Sequence, residues 1–311
     1  MQILITGIHG FVGSNLVKAL APYHTIYGLD IVAPEKEGVV KTFSWDDLDD
    51  GRIPDVDVII HLAGKAHDTK NKAKADAYFK VNTGLTEKIF DYFKKSQTSK
   101  FIFFSTAKAA ADRVDGVLTE DVVPSPVGPY GESKIAAEKY ILAGAAGLKE
   151  GQRYYILRPC MIHGPGNKGN LNLLYKVVSK GIPWPLGAFD NKRTFTSVDN
   201  ICFVVRQLAE RNVDSGIYNM GDDEPVSTNQ LIRIICDELG KKVRIWKISK
   251  GLMTSAAKLG GLLHLPLDPE RLRKLTENYV SSNAKIKNAL GIEKMPVDAI
   301  DGLHRTIRSF R

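Results

Sequence analysis

In the stretch PYGESK, Tyr130 and Lys134 stand four residues apart, a spacing that puts both side chains on one face of a helix. An ammonium near a phenol favours the phenolate, and a bound nicotinamide cation would add to that, so the pair has the makings of an acid/base working near neutral pH. The strand-like run FIFFS ends in Ser105, and Thr106 follows it, 24 residues before Tyr130. A hydroxyl at that point would bind the same substrate oxygen. A second group opens the chain: in MQILITGIHGFVGS, glycines stand at 7, 10 and 13 where an apolar strand must turn into a helix. Gly7 allows the tight turn, Gly10 lets backbone approach a pyrophosphate, and Gly13 lets the helix pack close to the strand. The free N–H groups and dipole of that helix would hold the anion. A second strand, HTIYGLD, ends in Asp30, at about the distance where a carboxylate meets a ribose. Together these residues point to a bound dinucleotide.

Positioning such groups takes a particular frame. Short β-rich runs, ILIT, HTIYGLD, VVKTF, DVDVIIHLAG, KFIFFST and YYILRP, alternate with helical stretches through the first half. Alternation of this kind predicts right-handed βαβ units and a doubly wound parallel α/β sheet, whose ligands sit at the carboxyl ends of the strands. Beyond Pro159 the texture changes. HGPGNKGN and GIPWPLGAFDNKRTF read as contact-bearing loops, LNLLYKVVSK as an amphipathic helix, and STNQLIRIICDELG as a helix capped by Ser or Thr and closed by Gly240. The expected organisation is a dinucleotide-binding domain over 1–162, with 196–220 returning to it. A smaller α/β substrate lobe is expected from 163–195 and 221–311.

Composition narrows the class. A chain of 311 residues can bury a large core, and no apolar run reaches the length of a membrane span. A strand starting at residue 2 leaves no room for a leader, so the expectation is a cytoplasmic protein with no membrane partner. Cys160, Cys202 and Cys236 are widely spaced in apolar surroundings without a metal-ligand pattern, and are expected to be reduced packing residues. The net charge is +8, with lysines concentrated between Lys65 and Lys80, in KKVRIWKISK and in RLRK. They are interleaved with helical periodicity, which reads as solvated faces biased toward an anionic ligand and not as a nucleic-acid tail.

Taken in order, the Gly7, Gly10, Gly13 turn, Asp30, HLAG at 61–64, Asn82 in VNTG, Thr106, the Tyr130 and Lys134 pair, LRP at 157–159 and RTFTSVDN form a constellation. In it the chain resembles the extended short-chain dehydrogenase/reductase family, in its UDP-galactose 4-epimerase-like branch of NAD-dependent epimerases and dehydratases. The resemblance spans nearly the whole chain and implies a Rossmann-like fold with NAD as cofactor. It implies that Gly7, Gly10, Phe11, Val12 and Gly13 contact the pyrophosphate and that Asp30 binds the adenosine ribose. Ala63 and Gly64 would lie near the cofactor, Asn82 would steady the strand ends, and Pro159 and Cys160 would border the nicotinamide. Thr106, Tyr130 and Lys134 would be catalytic, with Tyr130 and Lys134 also touching cofactor and Thr106 the substrate. Asn172 and Leu173 would lie near a uridine diphosphate whose phosphates pair with Arg193. For a second phosphate contact Arg271 and Arg273 are both candidates, as is a solvated helix face. A homodimer through the helices following Asn82 and Tyr130 is implied as well.

Departures from the family pattern bear on substrate. After Thr106 comes AKAAAD instead of a loop ending Tyr-Gly, and the Asp-Glu pair of sugar 4,6-dehydratases is replaced by Ala107 and Lys108. HLAGKAH and RPCMIHGPGNKGN look most like a subgroup handling UDP-hexoses and UDP-N-acetyl-6-deoxyhexosuloses in surface-polysaccharide synthesis. His67 and His163 follow strand ends and are read as loop histidines satisfied by backbone, outside the catalytic set. Three readings stay open: an NAD-dependent nucleotide-sugar 4-epimerase, an NAD(P)H-dependent reductase of a UDP-4-keto-6-deoxy sugar, and a non-catalytic dinucleotide sensor.

Overall fold

The computed structural model describes residues 1–65, 74–167, 169–263 and 267–311; His67 lies outside the described residues. Among the described residues eleven strands are formed in chain order: β1 (Gln2–Thr6), β2 (Thr25–Leu29), β3 (Lys41–Phe43), β4 (Val58–His61), β5 (Lys100–Phe104), β6 (Val117–Leu118), β7 (Arg153–Pro159), β8 (Met161–His163), β9 (Phe195–Ser197), β10 (Gly216–Met220) and β11 (Val280–Ser281). Seven build one sheet in the order β10-β7-β5-β4-β1-β2-β3, with every pairing parallel. The order reverses between β1 and β4, which in a doubly wound sheet opens a crevice at the carboxyl ends for a dinucleotide.

Both faces of this sheet are covered, as a parallel sheet requires. Successive side chains alternate between the faces, so Ile3, Ile5, Ile102 and Phe104 join one core with Leu16 and Leu20 of the helix Phe11–Leu20 and Val204 and Leu208 of the helix Val198–Glu210. Leu4, Phe101 and Phe103 point the other way, against Ile89, Phe90 and Phe93 of the helix Leu85–Lys95 and Ile141 of the helix Pro129–Gly144. The apolar runs of the first half are strands buried on both sides.

A separate apolar core holds most of the later segments. Leu171 and Val178, Trp184 and Leu186, Leu231 and Ile235, Met253, Leu272, Leu303 and Ile307 meet there. Ile286, Leu290 and Met295 instead join the core of the main sheet, against the expectation that 221–311 lies wholly in the smaller lobe. The expected STNQLIRIICDELG helix is Thr228–Glu238, with a capping box between Ser227 and Gln230 and Gly240 at φ 62° behind it. Two small parallel pairs, β6 with β11 and β8 with β9, stand apart from the main sheet. Among the described residues no helix is long and apolar enough to cross a membrane, and no group of His, Cys, Asp and Glu could hold a metal ion. All three cysteines are free, and burial pushes the Cys160 and Cys202 thiols up to about 12.

Candidate active site

The glycine turn lies at the carboxyl end of β1. Gly7 has φ 67°, and a Cβ there would sit 2.9 Å from the Ala63 amide nitrogen; one at Gly13 would sit 2.6 Å from the Gly7 carbonyl oxygen. Fold packing alone demands these two. Gly10 is different: its φ is −69°, it is exposed, and the protein atom nearest a Cβ is the Gly7 oxygen at 3.1 Å. Its bare Cα faces outward beside an uncapped first turn of the helix Phe11–Leu20, a cradle that fits a diphosphate. Lys36, which the sequence did not single out, donates to Ser14 Oγ at 2.9 Å and adds a cation to that turn. Asp30 follows β2, with Oδ2 accepting the His9 amide at 3.1 Å and Oδ1 the Ile31 amide at 2.7 Å. Its partly exposed carboxylate braces the turn, with lone pairs left for a ribose.

Asn82, fully buried, stands in the π-helical turn Phe79–Gly84, an irregularity often found at functional sites. Its Oδ1 accepts the Lys65 amide at 2.7 Å, and its Nδ2 donates to the Lys65 carbonyl at 3.2 Å and to Ser133 Oγ at 3.0 Å. Behind it, Thr86 donates to the Asn82 carbonyl at 2.6 Å, which leaves Thr86 Oγ1 to accept from His61 Nε2 at 3.0 Å. His61 Nδ1 then accepts from Thr6 Oγ1 at 2.7 Å, while that hydroxyl receives the Ala63 amide at 2.9 Å. The chain of donors works with a neutral His61, and burial, followed by the nearby Lys134 charge, holds its pKa well below the usual value. Asn82 therefore anchors the ends of β1 and β4 to the helix carrying Tyr130.

On that helix, Pro129–Gly144, Tyr130, Lys134 and Glu138 follow at four-residue intervals. The Tyr130 hydroxyl is hydrogen-bonded to Thr106, whose own Oγ1 caps the short helix Ala107–Ala110. The sequence expectation of a phenol favoured toward phenolate is corrected here. Burial raises the Tyr130 pKa, the Thr106 bond opposes it, and Tyr78 adds to the rise. Burial is the main reason, and Lys134 Nζ is engaged by donating to the Phe104 carbonyl at 2.8 Å, 4.9 Å from the Phe103 ring. Burial brings this ammonium down to about 8, against the pull of Glu138. A Cβ on Gly64 would lie 3.0 Å from Asn82 Oδ1 and 3.2 Å from Lys134 Nζ, so Gly64, Asn82 and Lys134 converge.

Sequence reasoning assigns Glu138 and Arg158 no role and reads Ser105 only as part of a hydroxyl-bearing strand edge. Glu138 Oε2 accepts Arg158 Nη2 at 2.6 Å, its Oε1 accepts Arg158 Nε at 3.0 Å, and Ser105 Oγ donates to Oε1. The only available signal was the periodicity from Tyr130 onward.

The later residues divide. Pro159 pairs with Met220 at the end of β7, and the Cys160 amide donates to Thr196 Oγ1 at 3.1 Å. The charges of Arg193 and Lys108 both act on the Cys160 thiol, and Arg193 Nη1 donates to the Lys274 carbonyl at 2.7 Å. Lys108 also lies 4.8 Å from the Tyr279 ring, which closes a small apolar cluster over Ala107, Ala110 and Ala111. Arg273 reaches this region, 3.6 Å from Asp112 and 2.7 Å from Glu277, whereas the more exposed Arg271 lies 3.5 Å from Asp268 one turn away. Asn172 Nδ2 donates to the Asn167 carbonyl and braces that loop, and Leu173 is exposed on the helix Asn170–Ser179. His163 is buried with both ring nitrogens engaged, at 2.9 Å from Thr306 Oγ1 and 3.2 Å from Asp222 Oδ2, so side chains satisfy it where backbone was expected.

The sequence model of the NAD dependent epimerase/dehydratase family matches residues 3–221. A UDP-glucose 4-epimerase of Vibrio cholerae is 32% identical over 258 residues, 77% of this chain and 76% of the relative. A GDP-6-deoxy-D-mannose reductase of Pseudomonas aeruginosa is 25% identical over 248 residues, 76% of this chain and 79% of the relative. Among solved structures, a Bacillus cereus UDP-glucuronic acid 4-epimerase in complex with NAD superposes with a TM-score of 0.76 at 21% identity, covering 99% of this chain and 98% of that one. With a Rossmann-like sheet, a diphosphate cradle at β1 and the Thr106, Tyr130 and Lys134 side chains gathered at the strand ends, the chain belongs to the NAD-dependent epimerase/dehydratase family of extended short-chain dehydrogenases/reductases, enzymes of sugar nucleotides, and its cofactor is NAD.

Proposed function

We propose that this protein is a nucleotide-sugar 4-epimerase acting on a UDP-hexose or UDP-N-acetylhexosamine through a transient 4-keto sugar. The observation that carries the reading is the Tyr130 hydroxyl hydrogen-bonded to Thr106 on the helix that carries Lys134. Gly7, Gly10, Phe11, Val12 and Gly13 hold the pyrophosphate, Asp30 the adenosine ribose, and Ala63, Gly64, Pro159 and Cys160 flank the nicotinamide. NAD, when bound, supplies a hydride acceptor that returns the hydride, and a positive charge that makes a phenolate less costly. Thr106 binds the C4 oxygen of the sugar. Tyr130 takes the proton from that hydroxyl and gives it back after the sugar has turned. Lys134, held by the Phe104 carbonyl and converging on Gly64 and Asn82, is assigned to the cofactor ribose. Segments 163–195 and most of 221–311 form the nucleotide-sugar lobe, with Arg193 on the phosphates and Asn172 and Leu173 beside the uridine. Arg273, 3.6 Å from Asp112, becomes the candidate for the second phosphate contact. The enzyme acts as a cytoplasmic homodimer joined through the helices Leu85–Lys95 and Pro129–Gly144.

The 32% identity to a UDP-glucose 4-epimerase supports this reading, and the 25% identity to a GDP-6-deoxy-D-mannose reductase supports a second one, a one-way C4 reductase of a UDP-4-keto-6-deoxy sugar. Ala107 and Lys108 after Thr106 leave no carboxylate pair to eliminate water, so a 4,6-dehydratase is disfavoured. Incubation of purified protein with UDP-hexoses and UDP-N-acetylhexosamines, no cofactor added, should yield the C4 epimer by chromatography. No interconversion, together with stoichiometric NAD(P)H loss on a UDP-4-keto-6-deoxy sugar, would move the assignment to the reductase.

A further inference from the structure

The basic stretch KKVRIWKISK has no part in the site above. From Gly240 to Leu263 the chain carries Lys241, Lys242, Arg244, Lys247, Lys250 and Lys258 and no acidic residue, a local charge of +6 in a protein whose net charge is +8. Of the nearby carboxylates, Glu238 is engaged with Arg308 and His304 and Asp268 with Arg271, while Asp237 is exposed at the edge of the stretch. Interleaved with these cations are exposed apolar side chains, Trp246 at 57%, Leu252 at 63%, Leu259 at 56% and Leu263 at 57% exposure. The helix Lys250–Leu262 buries one face through Met253, Ala257 and Gly260. Leu252, Ala256, Leu259 and Leu263 recur at intervals of four, three and four residues and form a second apolar stripe turned to solvent.

Next to it, backbone bonds from Trp184 to the Arg244 carbonyl and from Trp246 to the Trp184 carbonyl, both 2.8 Å, hold the basic stretch on the lobe. Beside this junction opens a cavity of about 230 Å³, with Val178, Ile182 and Ile232 on its apolar side and Lys241, Lys242 and Arg244 around it. A second copy of this face would bring +6 against +6. A nucleic acid would use the cations and leave the leucines in water. A lipid–water boundary satisfies both, because anionic headgroups meet the lysines while leucine and tryptophan enter the acyl edge.

We infer that the surface formed by residues 241–263 docks the protein onto an anionic phospholipid bilayer, with the cavity at Lys241, Lys242 and Arg244 taking a headgroup phosphate. No spanning helix is needed for this, and the inference does not depend on the sugar-nucleotide assignment. The test is co-sedimentation of the full-length protein with vesicles of phosphatidylcholine alone or mixed with phosphatidylglycerol, at low and high salt. Binding should be at least about tenfold stronger to the anionic vesicles at low salt and fall as salt rises. Neutralising each cation should weaken it roughly fivefold, so Lys242→Gln with Lys247→Gln loses about 25-fold. Leu259→Ser should weaken it too, and Trp246 emission should shift to the blue on vesicle addition, a shift absent in Trp246→Phe. All these positions are exposed, so thermal stability and NAD affinity should stay at the parent's level, which separates lost docking from lost fold. Equal partition into both vesicle types, or none into either, overturns the inference. So does a self-association abolished by Leu259→Ser, or capture of RNA or an acidic peptide by this surface without vesicle binding.

Discussion

Replacing Glu138 by Gln tests how the catalytic helix is held. Glu138 is fully buried and Arg158 only 2% exposed, with two short bonds between them and a third from Ser105 to the same carboxylate. Arg158 Nη1 already has no partner, so this carboxylate is what offsets the guanidinium's burial. Glutamine keeps the shape and removes the charge. Stranding a buried guanidinium in this way costs about 3–5 kcal/mol. At about 2–4 °C per kcal/mol the melting temperature should fall by roughly 6–20 °C, readable by thermal and urea unfolding. Arg158→Met in the same background should cost less than the two single changes added together, by at least about 2 kcal/mol, since each single change strands the other group. Because Ser105 adjoins Thr106, turnover of the Glu138→Gln protein should also fall more than its NAD affinity. Stability within about 1 kcal/mol of the parent, or additivity of the two changes, would refute the claim that this ion pair holds the helix on β5 and β7.

Four further outcomes follow from the same geometry. Gly13→Ala places a methyl 2.6 Å from the Gly7 oxygen and 2.8 Å from the Ile8 oxygen, backbone atoms that cannot swing away, so fold and NAD binding should both suffer. Gly10→Ala, with its nearest clash at 3.1 Å, should fold nearly as the parent while losing NAD affinity by calorimetry. Tyr130→Phe should cut turnover by roughly 10²–10⁴-fold and leave NAD affinity unchanged; near-parental turnover would remove Tyr130 from the mechanism. Lys134, brought down to about 8 from 10.5, is more basic unfolded than folded, so its burial penalty is full below pH 8 and is relieved as pH rises toward 10.5. Over that window the cofactor-free parent should gain up to about 3 kcal/mol on Lys134→Met, and parallel pH profiles of the two would contradict it.

Much of the frame was legible because it is written in local pattern. Apolar runs such as VIIH and KFIFF are buried on both faces of one sheet, and helical stretches between them allow only parallel pairing, so the strands, the sheet class and the glycine cradle could be read before any contact was known. Gly13 answers to backbone atoms of Gly7 and Ile8 close by in the chain, whereas the space at Gly7 is closed by Leu62 and Ala63 behind β4. The four-residue spacing of Tyr130, Lys134 and Glu138 put them on one helix face, but spacing says nothing of what that face meets. Tertiary packing decided that Lys134 points at the Phe104 carbonyl, that the Tyr130 phenol rises in pKa, and that Asn82 reaches Ser133. It also decided that Glu138 finds Arg158 and that His163 is taken up by Thr306 and Asp222. The partners in these contacts lie as much as 143 residues apart, as for His163 and Thr306. Burial and the direction of a side chain depend on which elements stack together, and sequence periodicity, which encodes only which side of an element is apolar, does not carry that information.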